Sequence, residues 1–163
     1  MEGIFRIAAD EAEMPEVRAA LNAGDFGILG TLRDINCVST LIKVFFRELP
    51  EPVLSGLSRE SLVALSCREE SLGALEQLPR QSQDLLEWVV ELMCDVVDHA
   101  NDNKMSAKSC AIVMGPNLYH VASNVAANPM QALIQSQKAV QFLQHLIEHT
   151  AERRLTAGRT GNV

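Results

Sequence analysis

Ile35, Val38, Leu41, Ile42, Phe45 and Phe46 recur at spacings of three and four, with Asp34 ahead of them as a candidate N-cap. This is the pattern of an amphipathic helix, and Pro50 and Pro52 forbid its continuation. The longest stripe is Leu85, Leu86, Val89, Leu92, Met93, Val96 and Val97, opened by Pro79 and ending near residues 101–103. Ser106 can cap a short, almost wholly apolar helix over 107–114 that Gly115 and Pro116 stop. A helix apolar on all sides belongs in the middle of a domain. Asn128 and Pro129 supply a cap and first turn for a last helix, whose stripe is Met130, Leu133, Ile134, Val140, Leu143, Leu146 and Ile147. Shorter helices are expected over 15–23, with Val17, Ala20 and Leu21 inward, over 59–66 behind Ser58, and over 72–78. Residues 4–9 and 24–31 read as loops. The chain is therefore expected to be a single all-α domain of about seven helices over residues 1–150. Residues 151–163 hold little apolar mass and are expected to form a disordered tail.

Composition sharpens this picture. Of 163 residues only seven are Phe, Tyr or Trp, so the core must be aliphatic, which favours helices over a β-sandwich. The net charge of −7 argues against nucleic acid and against an anionic membrane surface, both of which require clustered Lys and Arg. No stretch is long and apolar enough to insert into a bilayer, and the first residues lack a basic region followed by an apolar one, so a cytoplasmic location is expected. Cys37, Cys67, Cys94 and Cys110 form no C-x-x-C pair and read as small buried hydrophobes.

His145 and His149 stand in an H-x-x-E-H run, a metalloprotease pattern, and lie one turn apart on a helix. After His149, however, the only carboxylate is Glu152 and no His, Asp or Cys follows, so no metal site is assigned. There is no phosphate-binding G-x-x-x-x-G-K-[ST] loop and no G-x-S-x-G turn. What remains is a set of four polar residues in apolar surroundings: Arg6 within Gly3-Ile4-Phe5-Arg6-Ile7-Ala8, Lys43 and Arg47 four apart on one helix face, and Asn117 just past Gly115-Pro116. Each alone reads as an ordinary surface or turn residue.

Together they resemble a known family. Glu2-Gly3-Ile4-Phe5-Arg6 is similar to the E-G-[IL]-[FY]-R motif of Rho GTPase-activating (RhoGAP) domains. Residues 43–52, K-V-F-F-R-E-L-P-E-P, resemble the family's K-x-x-x-R-E-L-P-x-P, and Asn103-Lys104-Met105 and Gly115-Pro116-Asn117-Leu118 resemble its N-K-M and G/A-P-N-[LM] segments in the same order. The likeness runs from residue 2 to about residue 150. Residues 85–97, 129–134 and 140–147 further resemble plant-type Rop/Rac GTPase-activating domains.

The resemblance implies a GTPase activator rather than an enzyme in its own right. Arg6 matches the arginine finger, which enters a Rho-family (Rho, Rac or Rop) GTPase in trans and stabilises charge on the transferred phosphoryl group. Arg47 matches the residue that braces the finger loop, and Lys43 and Asn117 match residues that meet the switch regions of the GTP-bound partner. The chain would need no cofactor, since GTP and Mg²⁺ belong to the GTPase, and it would reach membranes only through that partner or through other domains of a longer protein. A module of the same fold that binds a GTPase with little or no acceleration is the alternative. The helices that precede the finger motif in the family have no counterpart here, so the resemblance implies a domain truncated at its N-terminus, with residues 1–10 mobile and apolar surface uncovered. Asn36 stands where many members have His, and Ser109 where many have Asn, both near the expected GTPase-facing surface.

Overall fold

The computed structural model describes residues 1–119 and 129–160, the side chains of 158–160 excepted. Its elements are α1 (Met14–Asn22), a 3₁₀ turn (Phe26–Gly30), α2 (Asn36–Arg47), α3 (Arg59–Ala64), α4 (Arg68–Glu76), α5 (Arg80–Asp98), α6 (Ala100–Asn103), α7 (Ala107–Leu118) and α8 (Pro129–Thr160). The architecture is all-α, with no strand among the described residues. Two of the expected caps are formed: Ser58 Oγ accepts from the Ser61 amide at 3.1 Å, and Ser106 Oγ from the Ser109 amide at 3.2 Å. Asp34 sits one residue earlier than a cap but acts as one, its carboxylate accepting from the Asn36 amide at 2.9 Å. The cap expected at Asn128 lies outside the described residues.

The apolar α7 occupies the centre, packed on α2, α5 and α8, with Cys110, Ala111, Met114, Gly115 and Leu118 buried. It is longer than expected. Gly115 and Pro116 do not stop it, and the helix carries Pro116 within its last turn. Proline removes the intrahelical hydrogen bond to the Ile112 carbonyl four residues back; beside it Asn117 ties the last turn together, its Nδ2 donating to the Val113 carbonyl at 2.8 Å and the Met114 carbonyl at 3.4 Å. Gly115 is needed for a different reason: a Cβ built on it would lie 3.1 Å from Val140 Cα and 3.2 Å from Val140 N, the backbone of α8. Backbone cannot swing aside as a flexible side chain can. Gly115→Ala is therefore expected to destabilise by about 1–3 kcal/mol, overriding its gain of roughly 1 kcal/mol in helix propensity. Gly73→Ala in α4, where an added Cβ meets nothing within 4 Å, is expected to move the melting temperature the other way. Equal shifts of the two variants would refute the close α7–α8 crossing.

Two stripes are only partly interior. On α2, Phe46 is fully buried while Ile35 and Phe45 are 43% and 53% exposed. Val38, Leu41, Ile42 and Phe45 instead line an open groove of about 550 Å³ closed on its far side by Leu85 and by Trp88, itself half exposed. On α8, Met130, Leu133 and Ile134 are exposed; Gln135 is buried, and the buried apolar stripe begins at Ala139, with Phe142, Leu143 and Ile147 at 0% exposure.

The expectation of a disordered tail is corrected for residues 151–160, because α8 continues to Thr160. Charge, not apolar mass, fastens this stretch. Arg154 pairs with Glu91, Asp95 and Asp98 along α5, and Glu152 pairs with Arg68 of α4 at 2.6 Å. Leu155 is left 70% exposed. Residues 161–163 lie outside the described part. Cys37, Cys94 and Cys110 are buried and all four thiols are free. Burial pushes the thiols of Cys94 and Cys110 up to about 11, which keeps them protonated and inert.

Candidate functional site

The chain before α1 is not a loose end. The Arg6 and Ile7 amides both donate to the Gly3 carbonyl at 2.9 Å, closing a tight turn. Gly3 (φ +75°) and Phe5 (φ +66°) both take left-handed backbone, uncommon for a residue such as Phe and costly unless the surroundings enforce it. Three contacts enforce it. Phe5 is buried in the core at 3% exposure. The Gly3 amide donates to the Asn103 carbonyl at 2.7 Å. Lys43 Nζ, reaching across from α2, donates to the Phe5 carbonyl at 2.7 Å. Residues 3–7 are thus tied at three points, contrary to the expectation that the first ten residues are mobile.

Arg6 follows the buried Phe5 and is itself exposed. Its guanidinium folds back beside Gly3, where an added Cβ would lie 3.2 Å from Arg6 Nη2 and 3.0 Å from the Ile7 side chain. Gly3 is therefore favoured by its left-handed backbone, and a Cβ there would also push the Ile7 and Arg6 side chains aside. Lys43 is half-buried, and burial, reinforced by the nearby charge of Arg47, lowers its ammonium below the usual lysine range. Arg47 is exposed, and neighbouring Glu48 is taken by Arg18 of α1 at 2.7 Å. Among the described residues, no carboxylate lies within 4 Å of Arg6, Lys43 or Arg47. An acidic protein thus keeps three unneutralised cations around one anchored turn, an arrangement that favours an anionic partner.

The structure brings Lys43 directly onto the Arg6 turn and Arg47 beside Lys43. Asn117 stands at the other end of α7 from the Asn103 corner. The Arg6 turn hangs from Asn103, just before α7, whereas Asn117 is in the last turn of that helix, about 16 Å further along at ~1.5 Å per residue. The Pro52–Leu54 turn after α2 joins that far end, the Leu54 amide donating to the Leu118 carbonyl at 3.0 Å. The four residues mark an extended face and not a small-molecule cleft. Arg47 makes no hydrogen bond to the Arg6 turn; the brace is Lys43. Since a charged hydrogen bond is worth roughly 1.5–3 kcal/mol, Lys43→Met is expected to speed hydrogen exchange of the Arg6 and Ile7 amides by about ten-fold or more. Unchanged exchange would remove Lys43 from this role.

Asn103 carries a role that its sequence did not suggest. It is 6% exposed; its Nδ2 donates to the Val96 carbonyl at 2.6 Å and its Oδ1 accepts from the Met105 amide at 2.8 Å. Lys104 follows in left-handed backbone (φ +58°), and Met105 is fully buried. The N-K-M segment is therefore the corner that joins α5, α6 and α7 and also holds the Arg6 turn. A signal existed, an Asn in the last helical position before a reversal, but surface turns show the same one. His145 is taken by Ser71, with Nδ1 and Oγ 2.9 Å apart, and Ser109 bonds Ser106 at its helix start. Asn36 is 5% exposed and does not face solvent.

Comparison with known proteins bears on this face. The RhoGAP domain family model matches residues 1–123. The Rho GTPase-activating protein gacA of Dictyostelium discoideum is 39% identical over 91% of the chain and 42% of its own length. Rho GTPase-activating protein 1 of Arabidopsis thaliana is 37% identical over 94% of the chain and 31% of its own length, so the chain spans less than half of these relatives. The crystal structure of human Rho GTPase activating protein 15 superposes with a TM-score of 0.73 at 23% identity, over 93% of this chain and 74% of that one. The matched residues contain the anchored Arg6 turn, the Lys43 brace and the Asn103 corner, and the chain belongs to the RhoGAP domain family.

Proposed function

We propose that this chain accelerates GTP hydrolysis by a Rho-family small GTPase, acting on the GTP-bound state and inserting Arg6 in trans. The observation that carries the reading is an exposed arginine, unpaired among the described residues, on a turn fixed by a buried Phe5, by Asn103 and by Lys43. Hydrolysis spreads negative charge over the γ-phosphoryl oxygens, and a guanidinium held ready for that charge stabilises the transition state without first being ordered. Lys43 places the turn, Arg47 adds field, and Asn117, whose Nδ2 is engaged within α7, offers its carbonyl oxygen to the partner at the far end of the face. GTP, Mg²⁺ and the attacking water would belong to the GTPase. Among the described residues no helix is long and apolar enough to cross a membrane; recruitment to one would come from the partner or from further domains.

The test is single-turnover GTP hydrolysis by Rho, Rac and Rop proteins with and without the chain. Acceleration at saturating chain is expected. Tight binding without acceleration would replace the proposal by a binding-only module, and neither effect with any of the three GTPase classes would defeat both readings.

A further inference from the structure

The segment carrying Arg6 is strapped along α2 at its two ends. At one end Lys43 holds the Phe5 carbonyl; at the other the Asp10 amide donates to Asp34 Oδ2 at 2.9 Å and Cys37 Sγ lies 3.8 Å from the Asp10 carbonyl. Residues 6–9 therefore run over the stretch of α2 between Lys43 and Cys37. Asn36, Thr40, Lys43 and Arg47 follow the helical spacing four, three, four and share one face of α2. Two atoms on that face are orphans: Asn36 Oδ1 and Thr40 Oγ1 are buried with no hydrogen-bond partner. The strap above them is short of partners too, because the Ala8 and Ala9 amides make no hydrogen bond among the described residues, whereas those of Arg6, Ile7 and Asp10 all do. Buried acceptors left unpaired are costly, and the two free amides, Ala8 exposed and Ala9 half-buried, sit on the segment whose two ends are fastened to this stretch of α2.

We infer that Asn36 and Thr40 are positioning residues for Arg6, forming the seat on which the Ala8–Ala9 backbone closes when the arginine is carried into the partner GTPase. The inference rests on the proposed function. In the free chain the strap is held at its ends and open at its middle; binding draws the middle onto Asn36 Oδ1 and Thr40 Oγ1, shortening the reach of Arg6 and fixing its direction. The orphan pair thus destabilises the free chain and stabilises the engaged one, a stability–activity trade-off written into one helix face.

Thr40→Val and Asn36→Leu, which remove the polar atoms and keep the bulk, test it. Single-turnover hydrolysis should show the rate at saturating chain falling about ten-fold for each, with the half-saturating concentration changing less than two-fold. The melting temperature of Thr40→Val should stay the same or rise, which a residue of purely structural value would not allow; that of Asn36→Leu should fall modestly, because this variant also loses the Nδ2 bond to Asp34 Oδ1 at 2.8 Å. Hydrogen exchange adds a direct reading: the Ala8 and Ala9 amides should be protected on binding in the parent and remain unprotected in Thr40→Val. If the parent accelerates hydrolysis and both variants match it within two-fold, the inference falls and the function stands. A lower melting temperature with rate and affinity lost together would also overturn it, in favour of a packing role. If the parent neither binds nor accelerates, the proposed function falls and this inference with it.

Discussion

Arg6→Ala is expected to reduce the acceleration of GTP hydrolysis by about 10³–10⁵-fold, which corresponds to roughly 4–7 kcal/mol of transition-state stabilisation. Binding to the GTP-bound partner should change much less, since the guanidinium would act chiefly on the charge as it is redistributed in the transition state. The fold should be indifferent. Arg6 is exposed and its guanidinium makes no hydrogen bond among the described residues, while Phe5, Gly3 and Lys43 hold the turn without it. Exposed sites of this kind usually stay within about 0.5 kcal/mol. Arg6→Lys should recover little, because a compact ammonium does not reproduce the planar fork. Single-turnover rates and a thermal melt on the same preparations decide the matter. An Arg6→Ala chain as effective as the parent would end the assignment.

The second large effect is expected from a residue that touches no partner. Asn103→Ala would leave the Met105 amide buried without its bond of 2.8 Å and take from the Val96 carbonyl the shorter of two donors, at 2.6 Å, leaving it the His99 amide at 3.2 Å. Two such losses sum to about 2–5 kcal/mol, a large share of the roughly 5–15 kcal/mol that stabilises a typical domain. The melting temperature should fall by on the order of ten degrees. Activity should fall as well, since the Gly3 amide hangs from the Asn103 carbonyl. Asn103→Asp distinguishes the cause. Its carboxylate could still accept from Met105 but would face the Val96 carbonyl, and burial would raise its pKa above the unfolded value of about 4. A raised value means that the unfolded chain releases the proton first, so the folded state is favoured below that pH and loses ground as pH rises. The deficit of Asn103→Asp against the parent should therefore be smaller at pH 4 than at pH 7. A deficit independent of pH would show that the corner is held by packing and not by this pair of hydrogen bonds.

These expectations differ in how much of them could be read from the chain. Helices α2, α5 and α7 declare themselves through apolar spacing, and Ser58 and Ser106 declare their caps, because helix formation is governed by neighbours three and four residues apart. The four motifs likewise mark the family, since they are strings of adjacent residues. Other features depend on contacts between distant segments. Gly115 followed by Pro116 reads locally as a stop; only packing shows that the helix carries on, with Gly115 pressed against Val140 of α8 and Asn117 bonded back into the last turn. The tail beyond residue 150 reads as disordered by its low apolar content, yet acidic side chains on α5 and an arginine on α4 hold it as helix, a pairing that spans more than fifty residues of chain.

The candidate site divides along the same line. The sequence by itself determined that Arg6, Lys43, Arg47 and Asn117 are the polar residues to follow, because residue type and motif order are local properties. Tertiary structure alone decided that Lys43 donates to the Arg6 turn and Arg47 does not, that Asn103 carries that turn, and that the Asn117 amide bonds back within α7. The first two are settled by which carbonyl meets which donor across helices that are distant in sequence. The same holds for the orphaned oxygens of Asn36 and Thr40: helical spacing puts them on one face, but whether a neighbouring segment satisfies a buried polar atom is a property of packing.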